Sequence, residues 1–136
     1  MQWDVLVTAW LARLNADTTL TGLLGGTGNI YPADASRPVK VPSLQYLVHN
    51  DHEEESFNPM GLRVDLFVRG ATKAAQVERR VRQLSHRDAG QVLGTRRGWL
   101  RLLDASTLEF PSDPGVVHRA LDFHLETVRS KYNTGG

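Results

Sequence analysis

Residues 116–129, VVHRALDFHLETVR, alternate between apolar and polar side chains more cleanly than any other stretch of the chain. In an extended segment Val117, Leu121, Phe123 and Leu125 share one face, and His118, Asp122, His124 and Glu126 share the other. Such a strand has an apolar face to bury, so the rest of the chain must supply partner strands and a covering layer. GLRVDLFVRG (61–70) repeats the pattern, with Leu62, Val64, Leu66 and Val68 opposite Arg63, Asp65, Phe67 and Arg69. SLQYLVHN (43–50) reads as a strand that pairs with it in a hairpin. GWLRLLDASTLEF (98–110) suggests one or two strands, broken near Asp104 to Ser106.

The covering layer is predicted at the N-terminus and in mid-chain. Trp3, Leu6, Val7, Trp10, Leu11 and Leu14 recur at three- and four-residue spacing, which predicts an amphipathic helix. Asp17 or Thr18 can cap a second, short helix carrying Leu20, Leu23 and Leu24, which Gly25 and Gly26 stop. TKAAQVERRVRQLSH (72–86) predicts a third helix capped by Thr72, with Ala74, Val77, Val81 and Leu84 inward and Lys73, Arg79, Arg80 and Arg82 largely outward. Two runs of strands around a helix, after two N-terminal helices, predict an α+β domain: a mainly antiparallel sheet of about four to five strands with helices packed on one face. One domain is expected over 1–136, with 129–136 as a flexible tail.

The glycine-rich stretch GGTGNIYP (25–32) poses a choice between a phosphate loop and a turn. A phosphate loop runs from strand into helix, so that free N–H groups at the helix start meet the anion. Here the predicted order is helix into extended chain. The Walker lysine and hydroxyl are missing, as is the third glycine of a dinucleotide fingerprint, so the stretch reads as a turn. Pro32, Pro38 and Pro42 then frame an irregular arm, PADASRPVKVP. DHEEESFNPM (51–60) is long for a hairpin connection and carries four acidic residues with Phe57 and Met60.

Bulk composition narrows the function classes. The absence of cysteine excludes disulfides and thiolate chemistry. No apolar run approaches the roughly 20 residues that span a bilayer, and the acidic start MQWD is unlike a signal peptide, so manufacture inside a cell and no membrane partner are expected. A net charge of +1 and a sequence pI of 8.2 argue against a dedicated nucleic-acid binder, for which a pI above about 9 is usual. Residues 1–60 hold 3 Lys/Arg against 7 Asp/Glu and residues 61–136 hold 13 against 8, so the first part is acidic and the second basic. If that split survives folding as two faces, it favours head-to-tail association of identical subunits; folding that intermixes the charges removes the argument.

Taken in order, the helix ending LNADTTLTGLLGG, the arm and strand NIYPADASRPVKVPSLQYLV, the strand and helix LRVDLFVRGATKAAQVERRVRQL and the closing strand VVHRALDFHLETV resemble the tail terminator, or tail completion, proteins of long-tailed bacteriophages. The resemblance runs from Trp3 to Arg129; IYP before a proline-flanked strand and HRALDF are its most specific pieces. It implies a non-enzymatic virion protein without a cofactor, forming a ring, usually a hexamer, on the last ring of the tail tube. Such a ring stops tube polymerisation, offers a joining surface to head–tail connector proteins and lets DNA pass through its lumen. The same resemblance implies subunit contacts through sheet edges and the long hairpin loop, here Asp51, His52, Glu53, Glu54, Glu55, Phe57 and Met60. The outward arginines Arg79, Arg80 and Arg82 are a matching candidate surface for that acidic loop.

Two alternatives stay open. One is another neck or head–tail connector protein of the same virion. The other is a small metal-dependent enzyme using His49, His52 and Glu53 to Glu55, although their spacing is not the helical H-E-x-x-H arrangement. His118 and His124 share a strand face but lie about 20 Å apart, too far to hold one ion between them. No serine, aspartate and histidine grouping has the local setting of a nucleophile elbow, and no carboxylate pair stands out for glycoside hydrolysis. Trp3, Trp10 and Trp99 read as packing residues.

Overall fold

Strand register decides how the predicted pieces assemble. In the computed structural model, which describes residues 2–50, 60–85 and 98–127, the elements are α1 (Gln2–Ala16), α2 (Thr18–Leu23), a 3-10 turn (Thr27–Asn29), β1 (Ile30–Pro32), β2 (Ser43–Asn50), β3 (Met60–Arg69), α3 (Ala71–Ser85), β4 (Gly98–Leu108) and β5 (Val116–Thr127). The strands form one sheet in the order β1-β2-β3-β5-β4. β2 and β3 pair as an antiparallel hairpin from Ser43 opposite Phe67 to Asn50 opposite Met60. β5 then inserts antiparallel between β3 and β4, so α3 connects two strands that run the same way with a third between them. This is the α+β architecture expected, with five strands. The expected tail, 129–136, lies outside the described residues.

One face of the sheet is apolar because the two-residue period places the aliphatic side chains there. Leu44, Leu62, Val64, Leu66, Val68, Leu121 and Phe123 are all at most 2% exposed. Ala74, Val77 and Val81 of α3, Leu20 of α2 and Trp10 and Leu14 of α1 close over them in one core. The Trp10 ring sets its edge against Tyr46, and its indole N–H donates to the Ser85 hydroxyl (2.9 Å), which donates to the Val81 carbonyl (2.7 Å). Trp10 is thus a packing residue with a satisfied polar tip. The side chains of Trp3, Leu6 and Trp99 lie outside the described residues.

Local chemistry fixes the element ends. Asp17, not Thr18, caps α2, accepting from the Leu20 N–H at 2.8 Å. GGTGNIYP is a turn. Gly25 (φ 80°) and Gly26 (φ 141°) donate back to the Gly22 and Thr21 carbonyls, the Schellman ending of a helix, and the Asn29 side chain donates to the Leu24 carbonyl. These bonds satisfy C-terminal carbonyls of α2, and the stretch runs from helix into strand, the reverse of the order a phosphate loop needs. α3 begins earlier than Thr72 predicts. Gly70, at φ 93°, turns the chain out of β3, and its carbonyl accepts from Ala74 N–H (3.0 Å), which leaves Thr72 inside the first turn.

The strand broken near Asp104 is continuous but bulged: Leu102 opposes Phe123 and Asp104 opposes Asp122, so Leu103 is an extra residue and stands 51% exposed on the sheet edge. β1 runs parallel to β2, and the arm 33–42 makes the return without a helix. The Tyr31 hydroxyl holds that arm, accepting from the Lys40 N–H (3.3 Å) and bonding the Gln45 amide (3.2 Å). Tyr31 and Gln45 point away from the helices, so the arm crosses the opposite face.

Candidate functional site

Two surfaces carry charge chemistry: the outer side of α3, and the sheet face that no described helix covers. On α3 the sequence offers three candidate arginines, and the structure gives them different neighbours. Arg80 reaches back to Asp17, with its Nε 3.0 Å from Oδ1 and an Nη 2.5 Å from Oδ2. Asp17 therefore both caps α2 and anchors α3. The Arg80 hydrogen bonds hold its carboxyl below the usual aspartate value, against the opposing effect of burial. Arg82 faces Glu78 one turn earlier at 3.5 Å, a weak surface pair. Arg79 is exposed. A neighbour that recruited Arg80 would have to share or displace Asp17, so Arg79 and Arg82 are the more available members.

Glu78 works inward. It accepts from Arg119 of β5 through Nε (2.7 Å) and an Nη (3.1 Å), tying the helix to the central strands. Those bonds depress its carboxyl below the ordinary range. The positive halves of both pairs are spent on the fold, a use that helical spacing does not reveal because a long guanidinium side chain reaches beyond its own face.

Register arranges the open face in rows. Ser43, Phe67, His118 and Leu108 form one; Gln45, Asp65, Ala120 and Ser106 the next; Leu47, Arg63, Asp122 and Asp104 the third; His49, Gly61, His124 and Arg101 the fourth. Asp65 is the hub of the middle rows. Arg63 donates to its two oxygens at 3.1 Å, and His118 Nε2 lies 2.7 Å from Oδ1. The His118 ring stacks on Phe67 at 4.2 Å, and Phe67 sets its edge against Phe110 of the β4–β5 connection. This corner is largely buried and partnered, apart from the Ser43 hydroxyl, which is enclosed without a hydrogen-bond partner. These contacts tie β3 to β5 at this corner.

The remaining sequence candidates are placed as follows. Asp51, His52, Glu53, Glu54, Glu55 and Phe57 lie outside the described residues, and Met60 is the first residue of β3, opposite Asn50. His49 is on β2, in the row that leads across Gly61 to His124. His118 and His124 share the open face, as the alternation predicts, two rows being left between them. Among the described residues, no three or more His, Cys, Asp or Glu side chains gather as a metal centre, and no helix is long and apolar enough to cross a membrane.

No family model matches the chain, and no curated protein matches it in sequence. Among solved structures, a chain from the virion of a native gene transfer agent particle superposes with a TM-score of 0.63, covering 92% of this chain and 96% of that one, at 18% identity. The likeness spans both chains nearly end to end, so the two share a fold. At that identity it speaks of the fold alone.

Proposed function

We propose that this chain is a virion structural protein, and that it acts as a tail terminator: subunits close into a ring, six in number, on the last ring of the tail tube. The observation that carries the reading is the near-complete likeness to a chain whose source is a virion. The tail-terminator resemblance of the sequence adds the finer role, and its most specific pieces fall in regular elements, IYP forming β1 and HRALDF lying within β5. The work is geometric: a cap that blocks further tube subunits and presents a surface to head–tail connector proteins, while DNA touches the lumen only in passing. No cofactor or catalytic group takes part.

The sheet supports a ring because its two ends differ. One ends in the three-residue β1 with Pro32, and the other in the eleven-residue, bulged β4. Unlike ends suit the heterologous contact that closes by rotation. The loop residues Asp51, His52, Glu53, Glu54, Glu55 and Phe57, with Met60, meet Arg79 and Arg82 of the next subunit in this proposal, and Arg80 remains with Asp17.

Native mass spectrometry across a concentration and salt series tests it, with and without purified tail-tube protein. A closed hexamer, formed alone or only on the tube, is the expected result. A chain that stays monomeric in both conditions overturns the ring. A ring that binds a connector protein but ignores the tube moves the role to the neighbouring neck position.

A further inference from the structure

Two histidines far apart in the sequence share one row of the open face, separated by a residue with no side chain. Gly61 of β3 is opposite His49 of β2 on one side and opposite His124 of β5 on the other. The His49 imidazole lies over the glycine: its Cε1, Nε2 and Nδ1 are 2.1, 2.5 and 2.9 Å from the point a Cβ on residue 61 would occupy. Directly opposed residues in neighbouring strands have Cβ atoms about 4.5–5.5 Å apart, so that point is one such step from His124. The His49 ring has therefore reached the middle strand, about half of the way from β2 to β5. Any other residue at position 61 would take the space it uses.

We propose that His49 and His124 form a two-imidazole site for a late first-row divalent cation, Zn²⁺, Ni²⁺ or Cu²⁺, bridging β2 to β5 across β3. Imidazole nitrogen suits these ions, whereas Mg²⁺ and Ca²⁺ select oxygen donors. Two protein ligands leave the other positions to water, so the site is weaker than the four-ligand sites of structural zinc proteins. Arg101, opposite His124 on the β4 side, further moderates the affinity for a cation, and Asp122, next on the same strand face, offsets it. The ion would link two strands that do not themselves pair, which makes it a staple of the sheet with no reaction attached. This inference is independent of ring formation.

The test is isothermal titration calorimetry and thermal unfolding of the full chain with ZnCl₂ and NiCl₂, with MgCl₂ as the control. Saturable binding of a single ion per chain is expected, with a Tm that climbs with ion concentration because only the folded form holds both ligands. His49→Ala and His124→Ala should each abolish the Tm rise, and Gly61→Ala should do so with both imidazoles intact. His118→Ala and His52→Ala should leave it unchanged. Circular dichroism checks that each variant folds, and His49→Gln and His124→Gln replace any that does not. No binding at millimolar ion overturns the proposal, as does binding that survives His124→Ala or is lost in His52→Ala.

Discussion

The two faces of this sheet come from the same strands and have opposite characters. On the helix side, Leu44, Leu66 and Leu121 are completely buried. One residue away on the other side, Gln45, Asp65 and Ala120 form a row in which polar groups take one another as partners or take the arm through Tyr31. The alternation gives both faces at once, but only the apolar face dictates what must pack on it. The open face tolerates several arrangements, so its details depend on which strands the topology brings together.

The largest test of the contrast is a truncation under α3. Leu66→Ala removes a completely buried side chain from the central strand and should cost about 2–5 kcal/mol, seen as a lower urea midpoint with an unchanged slope. A loss below about 1 kcal/mol would mean that the helices do not close over the sheet as described.

A smaller effect is expected where the helices are joined. Asp17→Ala removes the cap of α2 and leaves Arg80 without its carboxylate, with a loss of about 1–2 kcal/mol for the cap. The same residue sets a pH dependence. Asp17 and Glu78 both have folded-state carboxyls depressed from ordinary values of 3.8 and 4.5 by their arginine partners. The stability they contribute is present above those ordinary values and is lost as pH falls from there through the lower folded values. Urea midpoints measured from pH 7 to pH 3 should fall below about pH 4.5, and the Asp17→Asn/Glu78→Gln double variant should show a shallower fall. An equal slope in the variant would show that other carboxylates control acid unfolding.

Why some features were legible in the sequence follows from the same physics. α3, β3 and β5 carry strong periods because each packs one face on the core. Of the predicted inward residues, Ala74, Val77, Val81, Leu62, Val64, Leu66, Val68, Leu121 and Phe123 are buried, Leu84 and Val117 are partly buried, and the side chain of Leu125 lies outside the described residues. The Asp104 break is a bulge, whose extra residue upsets the two-residue period without ending the strand. β1 is three residues long and contains proline, too little for any period, so its parallel pairing was hidden. Gly70 displaced Thr72 at the start of α3 because the chain needed a positive φ to leave β3, a need that arises only once the strand and helix are placed. Arg80 looked like an outward charge by spacing, yet its partner Asp17 belongs to another helix end. That His49, Gly61 and His124 fall in one row depends on β5 lying beside β3, and no local pattern encodes that strand order.

On the open face the expected effect on stability is small. Leu47 is 49% exposed, and Leu47→Ser should change stability by less than about 0.5 kcal/mol, in contrast to Leu66→Ala. A loss comparable to that of Leu66 would reveal that this face is covered in the isolated subunit.

The smallest stability change of all is expected from replacing residues 51–59 with Asn-Gly. β2 and β3 remain in register up to Asn50 opposite Met60, and a two-residue turn of this composition suits the right-handed twist of a hairpin. The replacement removes every acidic residue of the loop together with Phe57, so the monomer should keep its Tm within a few degrees while losing the contact proposed for Arg79 and Arg82. Native mass spectrometry should then show ring formation shifted to higher protein concentration, and the salt dependence of assembly should weaken because the charged partners are gone. Rings that form as readily as those of the unaltered chain would remove the loop from the interface and leave the unlike sheet ends to close the ring. A large drop in Tm would show instead that the loop contributes to the fold itself, and the contrast between a fold-defining face and a freer surface would then have to be redrawn at this end of the sheet.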